Sequence, residues 1–228
     1  MAHPLDLPVP ARRALTALAD DFGRIFGARL TAVVAYAPTR AAAFTESLTA
    51  DDLDALSVLT ETWHRNGLDT PLVITNEEFR RSLDAFPLEY QAIMQHHVVL
   101  RGTPPFDGVT IADEDLRRAC EAQARGHLIH LRQGWIDARG HAHDLEKLLV
   151  SSAMPLRVLL SHVAELDGHG GDDLAAYAGT RFGTDADIIR AILALEHHPH
   201  GAHGLVAKTG AYLAASEHIW AFVDRWHK

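Results

Sequence analysis

The strand-forming segments of this sequence are confined to its first 102 residues, and only helical patterns follow them. Four short apolar segments rich in alanine and β-branched residues are typical of strands, and they cover residues 30–36, 42–48, 71–75 and 97–102. Beyond the Pro104–Gly108 segment, apolar residues recur at helical spacing. We therefore expect an α+β protein with a small mixed β-sheet domain over residues 1–108 and an all-α helical bundle over residues 109–228.

Helices are predicted around the strands of the first domain. Residues 11–26 and 88–95 have amphipathic patterns, and the second of these helices opens at Pro87. Asn76 is the predicted N-cap of a short helix, and Thr49 that of a longer helix ending near Asn66. The repeat after Thr49 is carried by Leu53, Leu56, Leu59 and Trp63.

The second domain is predicted to contain five helices. They cover residues 113–138, 143–166, 172–182, 185–197 and 205–226, and their separators are rich in glycine. The longest separator, residues 199–204, is interpreted as a loop. Five helices joined by short connections indicate a bundle.

Composition limits the classes of function. The formal net charge is −9, with 30 acidic against 21 basic residues, so we expect no general binding to nucleic acid or to anionic membranes. Cys120 is the single cysteine, which excludes an intrachain disulfide and fits a reducing cytoplasm. Neither an export signal nor an apolar stretch as long as a membrane span is recognised, so a soluble, cytoplasmic protein is expected.

Histidine is unusually frequent, with 16 residues. His127 and His130 are three apart on a predicted helix, close enough to share a metal ion. His197, His198 and His200 form a second cluster, in a loop that lacks fixed geometry. No third ligand is identifiable for the helical pair. We therefore expect no metal site, and we interpret the helical pair as hydrogen-bonded residues in or beside the bundle core, with these five histidines as the alternative ligands.

The order of elements and two local segments resemble the nucleotidyltransferase superfamily. The segments are residues 78–90 and the edge-strand motif His97–Gly102, and they are similar to a bacterial branch of predicted nucleotidyltransferases with a C-terminal helical domain. The resemblance implies a Gly-Ser pair after the first strand, which holds a nucleoside triphosphate. It also implies an Asp-x-Asp on the second strand, which binds two divalent ions.

Both active-site motifs are degenerate in this sequence. Ala37-Pro38 or Tyr36-Ala37 stands in the position of the Gly-Ser pair, and the second strand offers Glu46 alone. One carboxylate cannot replace the pair that holds two metal ions. We therefore expect no catalytic residues and no cofactor, and a protein that binds a small molecule, a nucleotide or another protein.

An alternative alignment restores the acidic pair. Asp52-Leu53-Asp54 is itself an Asp-x-Asp, and together with Glu46 it would make an active enzyme that uses ATP and Mg²⁺ to transfer a nucleoside monophosphate to a small molecule or a protein. The helical repeat after Thr49 argues against this alignment, because a strand would place Asp52, Asp54 and Leu56 on one side. The choice depends on the secondary structure of residues 42–59.

Two further hypotheses concern the helical domain. Charged residues on its first helix are candidates for a ligand-binding groove between the two domains; these are Arg118, Glu121, Arg125 and Arg132. The alternative is that they form a solvated helix face. The domain can also act as an interaction module that pairs with itself, giving a homodimer.

Overall fold

The computed structural model describes residues 5–226. It divides into two compact units, Met1–Ile111 and Ala112–Lys228. The division falls three residues beyond the boundary expected from the sequence. The first unit contains a mixed sheet with helices and the second is helical, so the predicted α+β class is confirmed.

The first unit is built on a four-stranded mixed sheet. Its strands are β1 (Leu30–Ala35), β2 (Ala41–Thr45), β3 (Leu72–Thr75) and β4 (Val98–Gly102). The spatial order is β3-β2-β1-β4, so β4 lies at an edge, as predicted. β1 is antiparallel to β2 and β4, whereas β2 and β3 are parallel.

Helices cover both faces of this sheet. They are α1 (Val9–Phe26), α2 (Ala50–Ser57), α3 (Thr60–Arg65), α4 (Asn76–Arg81) and α5 (Pro87–Gln95), with a 3₁₀ turn at Gly27–Arg29. On one face Phe22 of α1 and Trp63 of α3 pack over Val33 and Ala43. On the other face Phe44 packs against residues of α4 and α5. Burial on both faces explains why β1 and β2 are almost purely apolar.

Residues 49–66 do not form one helix as predicted. The chain breaks at Val58 and Leu59 into α2 and α3, and Leu53 is half exposed instead of continuing the buried stripe. The break allows Trp63 to stack on Phe22, with ring centroids 5.8 Å apart. Its indole N–H also donates to Asp21 Oδ2 over 2.9 Å. These tertiary contacts outweigh the continuity of the repeat.

The N-cap of α4 is Thr75 and not Asn76. Thr75 Oγ1 accepts from the backbone N–H of Glu78, and the Glu78 carboxylate accepts from the backbone N–H of Thr75 over 2.8 Å. This reciprocal capping box satisfies two orphan donors at once. A single Asn cap would satisfy one, so the helix begins one residue earlier than predicted.

The second unit is a helical bundle. It contains α6 (Asp113–Ala138), α7 (Ala142–Leu166), α8 (Leu174–Phe182), α9 (Ala186–Ala194) and α10 (Thr209–Asp224). α6 packs between α7 and α10. Residues 199–204 were expected to form a loop, but they belong to a 3₁₀ helix at Pro199–Lys208. The last helix therefore begins at Thr209, and α9 ends at Ala194, three residues before the predicted end at residue 197.

α7 is a core helix with an unusual composition. Among residues 5–226 it is the one helix long and apolar enough to cross a membrane by length and composition, so the expectation that no stretch reaches that length is wrong. Many of its apolar residues face neighbours: Leu149, Leu156 and Leu160 are fully buried, and the helix packs on α6, α8 and α9. Packing in the bundle therefore accounts for part of the hydropathy of α7, whereas Met154 and Val158 are apolar residues that remain exposed.

Candidate functional site

The positions implied by the nucleotidyltransferase resemblance lie at opposite ends of one β-hairpin. Ala37-Pro38 is in the tight turn between β1 and β2, where Tyr36 N–H donates to Arg40 C=O over 3.1 Å. Glu46 follows β2 at the other end, since Leu30 pairs with Thr45. Five residues of strand separate the two ends by about 15 Å. These two positions therefore do not converge on one ligand.

Glu46 belongs to a small polar cluster. Its Oε1 accepts from Asn76 Nδ2 over 3.1 Å and from Thr31 Oγ1 over 3.3 Å. Asn76 Nδ2 also donates to Thr31 Oγ1 over 2.9 Å. Within residues 5–226, no three His, Cys, Asp or Glu side chains are grouped so as to hold a metal ion. The Glu46 carboxylate thus joins the neighbouring ends of β1, β2 and α4.

Asp52 lies in the first turn of α2, which confirms the helical interpretation of residues 50–57. Its Oδ2 accepts from the backbone N–H of the N-cap residue Thr49 over 3.0 Å. Arg29 donates to both carboxylate oxygens, over 2.7 and 2.8 Å. The hydrogen bonds from Arg29, and to a smaller extent those from Thr49, hold the pKa of the Asp52 carboxyl far below its usual value. The side chain of Asp52 is nearly buried. The acceptor sites of Asp52 are therefore occupied by the protein itself.

Asp54 does not lie beside Asp52. Residues two apart on a helix project about 200° apart around its axis, and Asp54 is exposed whereas Asp52 is buried. The helix therefore does not bring the two carboxylates of the alternative active site together.

The charged residues proposed for a groove each have a partner on the helical unit. Arg118 pairs with Asp115 and Glu121 with Arg117. Arg132 bonds to Glu217 of α10 over 2.7 Å, and Arg125 lies 5.6 Å from the ring centre of Trp220. Each of these four charged side chains therefore interacts with a neighbour in the helical unit.

A cavity of about 390 Å³ lies between α6 and α7. The residues that form its wall are Gln123, Gly126, His127, His130, Leu131, Leu148, Ser151, Ser152 and Pro155. His127 and His130, which the sequence singled out as a pair, thus face the same space. No Asp, Glu, Lys or Arg is in this wall, as far as the described chain defines it.

Glycine and proline create this space. No heavy atom of the described residues outside the immediate chain lies within 4 Å of a Cβ built on Gly126. Pro155 stands inside α7, and its ring nitrogen has no hydrogen to donate to the carbonyl of Ser151, four residues earlier. A missing side chain on one helix and an interrupted hydrogen-bond ladder on the other coincide at the cavity.

His127 of the cavity wall is held by a buried hydrogen bond to Tyr212, which is not itself part of the wall. His127 Nε2 and the Tyr212 hydroxyl lie 2.8 Å apart and share a hydrogen bond. Burial, with a smaller contribution from His130, lowers the pKa of His127 to about 4, so its ring is neutral near pH 7. Burial raises the pKa of the Tyr212 phenol. On the same wall, Gln123 Oε1 is 2.9 Å from Nδ1 of His162.

The expectation of a hydrogen-bonded histidine beside the core is confirmed for His127. His197, His198 and His200 are exposed near the end of α9. Sequence reasoning missed Tyr212 and Gln123, because their positions relative to His127 depend on how three helices pack. The sequence signals that could have pointed to the cavity, a glycine and a proline within the long helices at Gly126 and Pro155, were not used.

Comparison of the chain with family models, with curated proteins and with solved structures finds no match.

Proposed function

We propose that this protein binds a neutral, largely apolar small molecule in the α6–α7 cavity, and that its nucleotidyltransferase-like unit does not transfer nucleotides. The observation that carries the proposal is a cavity of about 390 Å³, within the size range of ligand pockets, with a wall free of formal charge apart from its histidines. A charged ligand would lose its hydration there without gaining a counter-ion.

The polar groups of the wall can orient such a ligand. His127 and Tyr212 already satisfy one another, whereas His130 is exposed at the mouth. A ligand hydroxyl or carbonyl that bonds to His130 or to Gln123 would be fixed at one end, with its apolar body against Leu131 and Leu148. This arrangement of few polar groups in an apolar wall is typical of small-molecule sites.

ATP and Mg²⁺ fit the described residues poorly. A triphosphate needs cationic side chains or a row of backbone N–H groups, and the wall of the cavity offers no Lys or Arg. A metal pair needs convergent carboxylates, whereas Asp52 is bonded to Arg29 and Thr49. These contacts support a binding function over an enzymatic one.

The proposal is tested with a neutral apolar fluorophore, N-phenyl-1-naphthylamine. We expect saturable enhancement of its fluorescence with one site per chain, because the dye leaves water for the apolar cavity. Gly126→Leu would fill the space that the absent side chain leaves and lower the affinity at least tenfold.

Gly204→Leu is the matched control. A Cβ on Gly204 also meets no described heavy atom within 4 Å, but this residue lies in the 3₁₀ segment and not in the cavity wall. Equal loss of affinity in both variants, or unchanged binding by Gly126→Leu, would show that the dye binds elsewhere.

A further inference from the structure

The outer face of the α6–α7 pair is uncharged along its middle. Between Ala122 and Ile136, α6 carries Arg125 and Arg132 as its only Asp, Glu, Lys or Arg residues, and between residues 148 and 164 α7 carries Arg157 alone. The remaining charges of both helices are at their ends. A charge-depleted centre with a charged rim is the composition of a protein–protein interface.

The three arginines turn towards other helices. Arg125 and Arg132 both reach α10, where they meet the Trp220 ring and the Glu217 carboxylate. Arg157 reaches the end of α9, where it donates to the carbonyl of Leu193 over 3.3 Å. Their charges are thus directed away from the outer face of the pair.

Large apolar side chains are exposed on this face. Met154 is 59% exposed, Ile129 44% and Val158 38%. Beside them are small or compact residues, namely Gly126, Ser151 and Pro155. Exposed apolar side chains on adjacent helices are a feature of interaction sites, and the small residues permit close approach of another backbone.

We propose that this face is the interface of a homodimer, in which the α6–α7 pair of one copy packs against the same pair of a second copy as a four-helix bundle. Charge favours a second copy as the occupant. Each chain carries a formal charge of −9, so contact through charged faces is repulsive, whereas an uncharged face can meet itself across a two-fold axis. A strongly basic or acidic partner finds no complementary charge there.

The dimensions of the face agree with this occupant. α6 has 26 residues and α7 has 25, so each helix is about 38 Å long and about 10 Å wide. Two such helices side by side present about 700–800 Å². The uncharged middle alone, 15 residues of α6 and 17 of α7, presents about 480 Å². The charged helix ends must therefore join it as the rim to reach the area of about 800 Å² that a standard stable interface buries on each partner.

Dimerisation would also complete the cavity. His130, Ser151 and Pro155 belong both to the cavity wall and to the exposed face, so the mouth opens towards the second copy. Packing of apolar side chains over the mouth would exclude water from it. The dimer itself does not depend on a ligand, and it is measured without one.

The experiment is light scattering coupled to size exclusion of the full chain at about 50 μM and about 1 μM. The chain mass is 25.0 kDa, and we expect about twice that mass at the higher concentration. Met154→Glu and Ile129→Glu should reduce it to the monomer mass, because each places a charge in the uncharged face. Val58→Glu is the control: Val58 is 76% exposed but lies between α2 and α3, and this variant should remain dimeric.

A wild-type monomer at the higher concentration would overturn the proposal, as would dimers that persist in both face variants. Far-UV circular dichroism verifies that each variant is folded. A face variant that loses helicity is replaced by Val158→Ser, a smaller change on the same face, which should shift the equilibrium towards monomer. Because the mass is measured without the fluorophore, failure of the dimer and failure of ligand binding are separate results.

Discussion

Asp52 lies in a helix N-terminus because of local hydrogen bonds that a match to the Asp-x-Asp motif does not reveal. The Asp-x-Asp at residues 52–54 matches a metal-binding pattern, but Thr49 three residues earlier makes Asp52 the partner in a capping box. Arg29 then adds two charge-assisted hydrogen bonds. The sequence already contained Thr49 and the apolar repeat, so the helix start was predictable, whereas the contact with Arg29 required the folded sheet.

Exchanging each aspartate for asparagine separates a structural contribution from a catalytic one. Asp52→Asn should lower the free energy of unfolding by about 1–2 kcal/mol, because it weakens the N-cap and a charge-assisted pair. Asp54→Asn, on the exposed side of α2, should change it by less than about 0.5 kcal/mol. Urea unfolding measures both variants.

The same variants test for nucleotidyl transfer. With ATP and Mg²⁺ we expect no release of pyrophosphate from the wild-type protein. Mg²⁺-dependent release that disappears in both variants would instead revive the enzymatic interpretation of Asp52 and Asp54.

His127 makes stability depend on pH. The unfolded chain binds this proton near pH 6.5, whereas the folded protein binds it near pH 4. The contribution of the neutral, buried His127 to the free energy of unfolding is therefore complete above about pH 6.5, and it is lost as the pH falls towards 4. Between pH 7 and pH 4.5 the loss should be about 2 kcal/mol.

The measurement is urea unfolding of wild type and His127→Gln across this pH range. The variant should be less stable at pH 7, because the hydrogen bond to Tyr212 is altered, and its stability should fall less steeply with acid. His200→Gln, at an exposed position, should retain the wild-type slope. An identical slope in the His127 variant would contradict a buried neutral histidine.

At the scale of helices and strands, local pattern predicted where most elements lie. The bounds of α6 match the predicted residues 113–138, since a long apolar stripe with three acidic residues in its first turn is unambiguous. The break between α2 and α3 and the 3₁₀ helix at Pro199–Lys208 were not predicted. In both cases packing of neighbouring side chains decided the backbone path, and no local pattern encodes such packing.

Pro155 is an element-scale exception whose effect can be measured. A proline inside a helix is about 3 kcal/mol less favourable than alanine, yet α7 continues through it. Pro155→Ala should therefore raise the free energy of unfolding by about 1–3 kcal/mol, because the carbonyl of Ser151 regains a donor.

Urea unfolding compares this variant with Ser151→Ala, one turn earlier, which should gain at most about 0.5 kcal/mol from helix propensity. Destabilisation by Pro155→Ala would contradict this expectation. It would show that the packing of the proline ring stabilises the fold by more than the proline costs in helix propensity.

At the scale of the whole molecule, the chain combines two compact units of different composition. The first contains the mixed four-stranded sheet, and the second contains the α6–α7 cavity and the uncharged face. The function proposed for the protein therefore depends on the helical unit, although the sequence resemblance drew attention to the α/β unit.

The sequence by itself determined the α+β class, the change from strands to helices near residue 103, and the start of α2 at Thr49. These follow from periodicity and capping, which act between residues close in the chain. Only the tertiary structure decided that Asp52 pairs with Arg29, that His127 bonds to Tyr212, and that Gly126 and Pro155 face one cavity. Those contacts join residues 23 to 85 positions apart, and their geometry depends on how whole helices pack, which no local pattern specifies.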